Sequence, residues 1–378
     1  MPKLVVLLEQ VLAPVPGGTG RYSRELTAAL AATAPSDWTV GSAVACRADP
    51  SPAMIPGVEG PHLLALPRQA LIAAWDCGVP LWPGGDTVHA PTPLAPPGSR
   101  RGRDLVVTVH DTVPWTHPEG LTRRGVGWHR RMIGRAARRA DALVVPTAAV
   151  ADDLPRHVAC RTAVHVVGAG VSSAVLHPPE EPQATAIATR LDLPPRYVLA
   201  MGTLEPRKGI DTLLAALAMP TAPELPVLLA GQQGWGWVDP AEVARRVGLD
   251  PGRVRVLGRI SDAELAVVLH RAAVFAAPSQ AEGFGLPMLE AMAAGVPVVH
   301  SDAPALLEVA GGAGVVFERG TPGALAAALR RVLSDPATAD AMIAAGRHQA
   351  QRFTWERTAR RVWSVHLALY RARQPGRV

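Results

Sequence analysis

Glu282 and Glu290 stand eight positions apart in the stretch SQAEGFGLPMLEAMAAGVPVV, which begins at Ser279. Between them, Gly283 and Gly285 permit a tight turn and a close backbone approach to a ligand. Pro287 suits the first position of a helix, where its missing N–H is not needed. A helix starting there presents unbonded amides and a partial positive charge, which together favour phosphate. Glu290 falls about one turn inside that helix, and Glu282 at the lip of the preceding strand. Carboxylates beside a phosphate site repel the phosphate but accept hydrogen bonds from hydroxyls. A ligand with both a diphosphate and several hydroxyls, a sugar nucleotide, satisfies the pair. Each glutamate also has a plainer reading: a turn cap for Glu282, a solvated first-turn acid for Glu290.

Three other groups offer chemistry. Arg207 and Lys208, within VLAMGTLEPRKGIDTLLAAL, follow a buried-strand pattern and precede a helical one. A planar fork and a compact point charge are complementary ways to hold a diphosphate; a solvated basic loop is the alternative. Lys3 and Lys208 are the only lysines in an arginine-rich chain, which singles out the second. In VPGGTGRYSREL, Gly17, Gly18 and Gly20 are expected to form a loop whose amides approach a phosphate, a device that NAD-binding proteins share. His110 and Asp111, in VVTVHDTVPWTHP, sit at a strand's carboxyl end. His110 reads as a substrate contact or a structural imidazole, and Asp111 as its orienting partner or the cap of the next turn. The chain contains no Asp-x-Asp to clamp a diphosphate through a metal ion, so no metal is expected; a sugar nucleotide would be a substrate, and no resident cofactor is expected.

These groups need scaffolding. At 378 residues the chain exceeds one small core, and two domains are expected. Apolar runs around Val5, Val106, Val144 and Val166 alternate with helical patterns such as 21–32 and 128–140. LHPPEEPQ, from Leu176, reads as a linker. Beyond it strands recur around Leu199, Leu228, Val254, Phe275 and Val298. The expected fold is α/β, two doubly wound Rossmann-like domains facing across a cleft, with ligands at the carboxyl ends of strands. The bounds expected are 1–175, a linker and entry over 176–195, 196–360, and a terminal helix over 361–378. That helix shows Val362, Val365 and Leu369 on one face, and either ends the second domain or crosses back.

The stretch from Phe275 to Ser301 resembles the Glu-x₇-Glu signature of glycosyltransferase family 4, retaining enzymes of the GT-B fold. Val198 to Leu217 looks like the first strand, loop and helix of that family's donor domain, and GGTGRY is similar to its glycine-rich opening. The resemblance implies that the 1–175 domain takes the acceptor and the 196–360 domain a nucleotide-sugar donor. Glu282 would then hold donor-sugar hydroxyls and Glu290 the ribose. Gly17, Gly18, Arg207, Lys208, Gly283, Phe284, Gly285 and Leu286 would complete the donor site. His110 is similar to the histidine of a mannosyltransferase-like branch, where it lies beside the transferred sugar. GDP-mannose is the first donor this suggests, with UDP- or dTDP-sugars as alternatives, and a glycan or lipid-linked hydroxyl the acceptor. The chain departs from the family pattern at Thr203, where many relatives carry arginine; at Gly168 to Gly170, where an asparagine is common; and at Gln232 and Gln233, where lysine is common. A nucleotide-sugar epimerase on the same fold is the nearest rival. A nicotinamide-dependent oxidoreductase, which lacks its full glycine motif here, and a non-catalytic binding protein stand further off.

The net charge of +6 favours acidic partners. The motifs select nucleotides among these, and nucleic acid is not expected. Arg131, Arg135 and Arg138 recur at helical spacing, with Arg124 and Trp128 near the same side. That face is either solvated or drawn to an anionic membrane surface. No apolar stretch is long enough to span a bilayer. The apolar start reads as a buried strand rather than a signal peptide, and Cys46, Cys77 and Cys160 lack metal or redox spacing. A cytoplasmic protein, at most peripheral on the inner face of the membrane, is expected.

Overall fold

The computed structural model describes residues 1–234, 236 and 239–373. Trp235, Trp237 and the last five positions of the expected 361–378 segment lie outside them. The chain forms two compact units: 1–118, 123–170 and 354–378 make one, and 119–122 with 171–353 the other.

The first unit runs β1 (Lys3–Leu7), α1 (Gly17–Ala32), β2 (Thr39–Cys46), β3 (Glu59–Pro67), α2 (Arg68–Asp76), β4 (Thr87–Ala90), β5 (Asp104–Thr108), α3 (Val113–Thr116), α4 (Arg123–Arg139), β6 (Ala142–Val145), α5 (Ala148–His157) and β7 (Ala163–Val166). Its strands are all parallel, in the order β3-β2-β1-β4-β5-β6-β7. Helices cover both faces of such a sheet, so the central strands are apolar throughout. Leu4, Val5, Val6, Val106, Val107, Leu143 and Val144 are each at most 1% exposed, and burying each side chain contributes about 1.5–3 kcal/mol.

The second unit contains α6 (Ser173–Leu176), α7 (Gln183–Arg190), β8 (Val198–Met201), α8 (Ile210–Leu217), β9 (Val227–Ala230), α9 (Pro240–Val247), β10 (Val254–Gly258), α10 (Asp262–His270), β11 (Val274–Ala277), α11 (Leu286–Ala294), β12 (Val298–Ser301), α12 (Pro304–Ala310), β13 (Val315–Phe317), α13 (Pro322–Ser334) and α14 (Pro336–Ala350). Its parallel order is β10-β9-β8-β11-β12-β13. Both orders reverse direction beside the first strand of the unit, the crevice where doubly wound folds bind ligands. The linker packs on this unit, with Arg271 paired to Glu181 at 3.1 Å, and so does Val175 at the end of the expected 1–175 domain, whose carbonyl accepts from His270 Nε2 at 3.0 Å.

The last helix, α15 (Trp355–Ala372), belongs to the first unit. The chain returns there at Thr354, earlier than the 361 read from the sequence, because Trp355 and Ala359 are already buried. Gly170 shows how close the fit is: a Cβ on it would lie 2.2 Å from the Trp355 nitrogen. Val362 and Val365 face inward as their spacing suggests, and Trp363 donates from Nε1 to the Leu30 carbonyl at 3.0 Å. His366, fully buried, bonds Thr87 at 2.7 Å and His89 at 3.2 Å. Neither Trp363 nor His366 stood out in the sequence.

The glycines of GGTG are not a loop. The first helix begins at Gly17, and Gly20 is bonded to Pro16 at 2.9 Å as its first turn. A side chain at Gly20 would meet Pro16 at 2.5 Å, whereas one at Gly17 would meet nothing within 4 Å, so Gly20 serves close packing and Gly17 and Gly18 form an exposed helix start.

Candidate functional site

In the second unit two strand ends meet. After β8 the chain passes Gly202 to Glu205, makes a short turn over Pro206–Lys208, and enters α8. Gly209 closes that turn at φ +67°, with the Pro278 carbonyl so near that a Cβ would lie 2.1 Å from its oxygen. Only glycine accepts both conditions. From the facing strand, β11, the segment Pro278 to Gly285 leads into α11. Two bonds tie the segments together: Gln280 N–H to the Arg207 carbonyl at 2.8 Å, and Arg207 Nη1 to the Ala281 carbonyl at 2.7 Å.

This frame holds an ionic cluster. Lys208 Nζ donates to Glu282 Oε1 at 2.6 Å, and Ser279 Oγ donates to the same oxygen at 2.7 Å. Arg207 reaches Glu282 Oε2 at 3.5 Å and Glu205 at 2.5 Å. The cluster thus matches two cations with two carboxylates, each side chain 12–13% exposed. Burial alone would raise the Glu282 carboxyl; Lys208 and Arg207, helped by the bonds from Lys208 and Ser279, reverse this and hold it at about 2. At neutral pH Glu282 is therefore a hydrogen-bond acceptor and has no proton to give.

Lys208, Glu282 and Gly285 line one pocket, together with Gly202, Thr203 and Ser279; its cavity is only about 20 Å³, and the rest of the recess is open to solvent. Gly285 caps α11 at φ +94°, with Leu306 packed so that a Cβ would meet it at 2.5 Å. Pro287 and Met288 of the α11 start share this lining; Pro287 has no N–H and the Leu289 amide bonds the Gly285 carbonyl at 3.1 Å, so within the first turn only the Leu286 and Met288 amides lack an intrahelical partner. Leu286, not Pro287, is the first helical residue, and Pro287 is the second.

Other expected members fall elsewhere. Glu290 is only 1% exposed, which removes the solvated reading, and it is not part of this lining. Phe284 is buried edge-on against Phe353, with ring centroids 5.6 Å apart, as packing. Gly283 is buried and Leu286 half-buried, neither in the lining. Arg207 spends its guanidinium on protein partners and acts as the brace of the two segments. Ser279 and Glu205 complete the cluster. Both lay inside the motifs read from the sequence, but nothing in their spacing marked them as partners of Glu282 and Arg207.

The first unit has a pocket of its own, about 310 Å³, lined by Gln10, Thr19, Arg68, His110, Asp111 and Trp128 among others. His110 Nε2 donates to the Pro91 carbonyl at 2.8 Å. A carbonyl only accepts, so the proton is on Nε2 and the Nδ1 lone pair is left as an acceptor. Burial holds the ring below the usual histidine range, although the Pro91 bond and the nearby Asp111 charge oppose it, so His110 is neutral at pH 7. Tyr22 packs edge-on against it at 4.7 Å. Asp111 caps the following turn, accepting from the Val113 amide at 3.1 Å, and does not orient the ring. Thr19 and Gln10 line this pocket, while Gly17 and Gly18 are exposed and do not.

Two arginines of the stripe bond within the unit, while Arg124 and Arg138 are exposed. Arg131 grips Asp76 through two nitrogens at 2.7 and 3.2 Å, and Arg135 bonds the carbonyls of Trp75 and Asp76. Trp128, expected near the arginine side, packs against the core instead. Among the described residues, no helix is long and apolar enough to cross a membrane, and no group of three or more His, Cys, Asp or Glu side chains could hold a metal ion.

Residues 183–349 match the family described as Glycosyl transferases group 1, and residues 16–175 match Glycosyltransferase Family 4. A 163-residue stretch is 40% identical to O-antigen chain mannosyltransferase B of Escherichia coli, covering 42% of each chain, so the match spans under half of that relative's length. Glycogen synthase of Mycobacterium tuberculosis is 31% identical over 399 aligned positions, 95% of this chain and 93% of the relative. Among solved structures, sucrose-phosphate synthase of Thermosynechococcus elongatus superposes with a TM-score of 0.76 at 24% identity, covering 98% of this chain and all of the other.

Proposed function

The chain belongs to the GT-B glycosyltransferases, and from that premise we propose that it moves a hexose from a nucleoside diphosphate to a hydroxyl acceptor, retaining configuration and needing no metal ion. The observation that carries this reading is the pocket where Lys208, an ionised Glu282 and the open start of α11 converge. Breaking the glycosidic bond leaves negative charge on the departing diphosphate. Lys208 has three N–H donors and gives one to Glu282, so two remain for phosphate oxygens. The α11 amides add a preorganised dipole. Glu282 accepts from sugar hydroxyls, Arg207 holds the segment in place, and His110 contacts substrate through its Nδ1 lone pair. Glu290, buried as it is, reaches a ribose only if its surroundings open.

The name of the Escherichia coli relative makes mannose the first sugar to test, and GDP-mannose the first donor. The glycogen synthase relative carries a different name, so UDP- and dTDP-sugars belong in the same panel. Thermal shift across that panel, followed by hydrolysis and transfer assays, is expected to select one donor, with turnover unchanged in EDTA and the product anomer matching the donor. One charge contact at about 4 Å and an effective dielectric near 20 is worth roughly 4 kcal/mol. Lys208→Ala is therefore expected to lower turnover by up to about a thousandfold while the melting curve stays cooperative. Near-normal turnover would remove Lys208 from the mechanism. A panel with no hydrolysis or transfer of any sugar nucleotide would overturn the reading itself.

A further inference from the structure

The pocket of the first unit contains a cation that the donor chemistry does not use. Arg68 is the first residue of α2 and lines the same pocket as His110 and Asp111. Its Nε is enclosed and lies 3.4 Å from Glu9, a carboxylate 5% exposed. Glu9 is itself fixed: it accepts from the Ala45 amide at 2.9 Å and from Arg47 at 2.5 Å. One buried carboxylate thus holds two arginines, and the group keeps a net positive charge. The terminal nitrogens of Arg68 bond none of the described residues, and its side chain is 38% exposed. A guanidinium steered by a buried acid, with its fork left open in a pocket wall, is suited to a planar or tetrahedral oxyanion.

The sheet order sets a distance. Arg68 is anchored above the end of β1, through Glu9, whereas His110 and Asp111 follow β5, two strands away. Two strand spacings amount to about 10 Å. Trp128, Ile72 and Leu94 supply apolar wall in the same pocket, a surface that suits the face of a sugar or polyol ring.

We infer that the acceptor is an anionic alcohol: a sugar or polyol whose phosphate or carboxylate pairs with Arg68 while its reacting hydroxyl lies toward His110 and Asp111. This rests on the glycosyltransferase reading and narrows its acceptor. The full-length protein is titrated by calorimetry with neutral hexoses, their 6-phosphates, their uronic acids, and inorganic phosphate alone. The phosphorylated or carboxylated sugars are expected to bind roughly tenfold or more tightly than their neutral parents. Arg68→Gln should erase that preference, and Arg124→Gln, on the exposed start of α4, should leave it. Overturning results are no member binding above its neutral parent, a preference that survives Arg68→Gln, or inorganic phosphate alone binding as tightly as the sugar phosphates, which would make this an oxyanion site with no acceptor role. Donor hydrolysis without acceptor is measured on the same samples. Its loss in the wild type counts against the transferase reading and leaves the binding result standing, so the two failures are separable.

Discussion

Glu282 does its work as a fixed anion. Its carboxyl sits at about 2 in the fold against an ordinary 4.5, so the folded state binds the proton less readily than the unfolded chain. The stability this supplies is fully present above about pH 4.5 and is lost as pH falls through about 2. A shift of that size corresponds at most to on the order of 3 kcal/mol. Glu282→Gln is expected to melt lower than wild type at pH 7, because Lys208 and Arg207 are left without their counter-charge, and the gap should close as the pH approaches 2. A gap independent of pH would show that packing, not charge, explains the loss. The same value means that Glu282 does not set any acid limb of the rate above pH 4.

Elements fix where these side chains stand. The turn before α8 exists because Gly209 tolerates φ +67° under the Pro278 carbonyl, and α11 starts because Gly285 tolerates φ +94° under Leu306. Gly209→Ala combines backbone strain with a contact to backbone, which cannot move aside. Gly285→Ala meets only the tip of a leucine. We expect Gly209→Ala to cost several kcal/mol and Gly285→Ala about 1–3 kcal/mol, measured by denaturant unfolding. Equal costs would contradict the distinction between backbone and side-chain neighbours. In both variants donor binding should weaken along with stability, since each glycine positions a pocket residue.

For the whole molecule, the decisive feature is that the first unit is completed by the last helix in the sequence. A chain ending at residue 353 loses Trp355, Val362, Trp363 and His366 from the first unit while keeping the second intact. It is expected to retain one cooperative transition, from the second unit, with the first collapsed or aggregated. Retention of both transitions would refute the dependence on α15. The histidines give that helix an acid weakness. Burial, with the His110 charge adding to it, lowers His89 to about 3, and burial, with the His89 charge adding to it, places His366 well below its usual range. Both are neutral in the fold and protonate more readily when unfolded, so the first unit loses stability as pH falls below about 6.5. His366→Leu, which removes one titrating group, should flatten the pH dependence of melting between 6.5 and 4 even though it loosens the packing.

Much of this could be read from residue order. Buried parallel strands announce themselves as apolar runs, so the strands around Val106, Val144, Leu199, Leu228, Phe275 and Val298 were legible, as were the glycines, Lys208 and Glu282 at their ends. The strands not read were β2, β3, β4 and β13: β3 carries two prolines and faces solvent on much of its length, and β4 and β13 have four and three residues. The sequence by itself determined the chemical inventory at strand ends, because strand periodicity and turn residues are local properties. Tertiary structure alone decided which inventory members touch. It paired Lys208 with Glu282 across 74 positions, buried Glu290, and turned Arg131 and Arg135 onto Asp76 and neighbouring carbonyls. It also brought His366 to Thr87 across 279 positions. Those outcomes depend on distances between segments remote in the chain, and no local pattern encodes them.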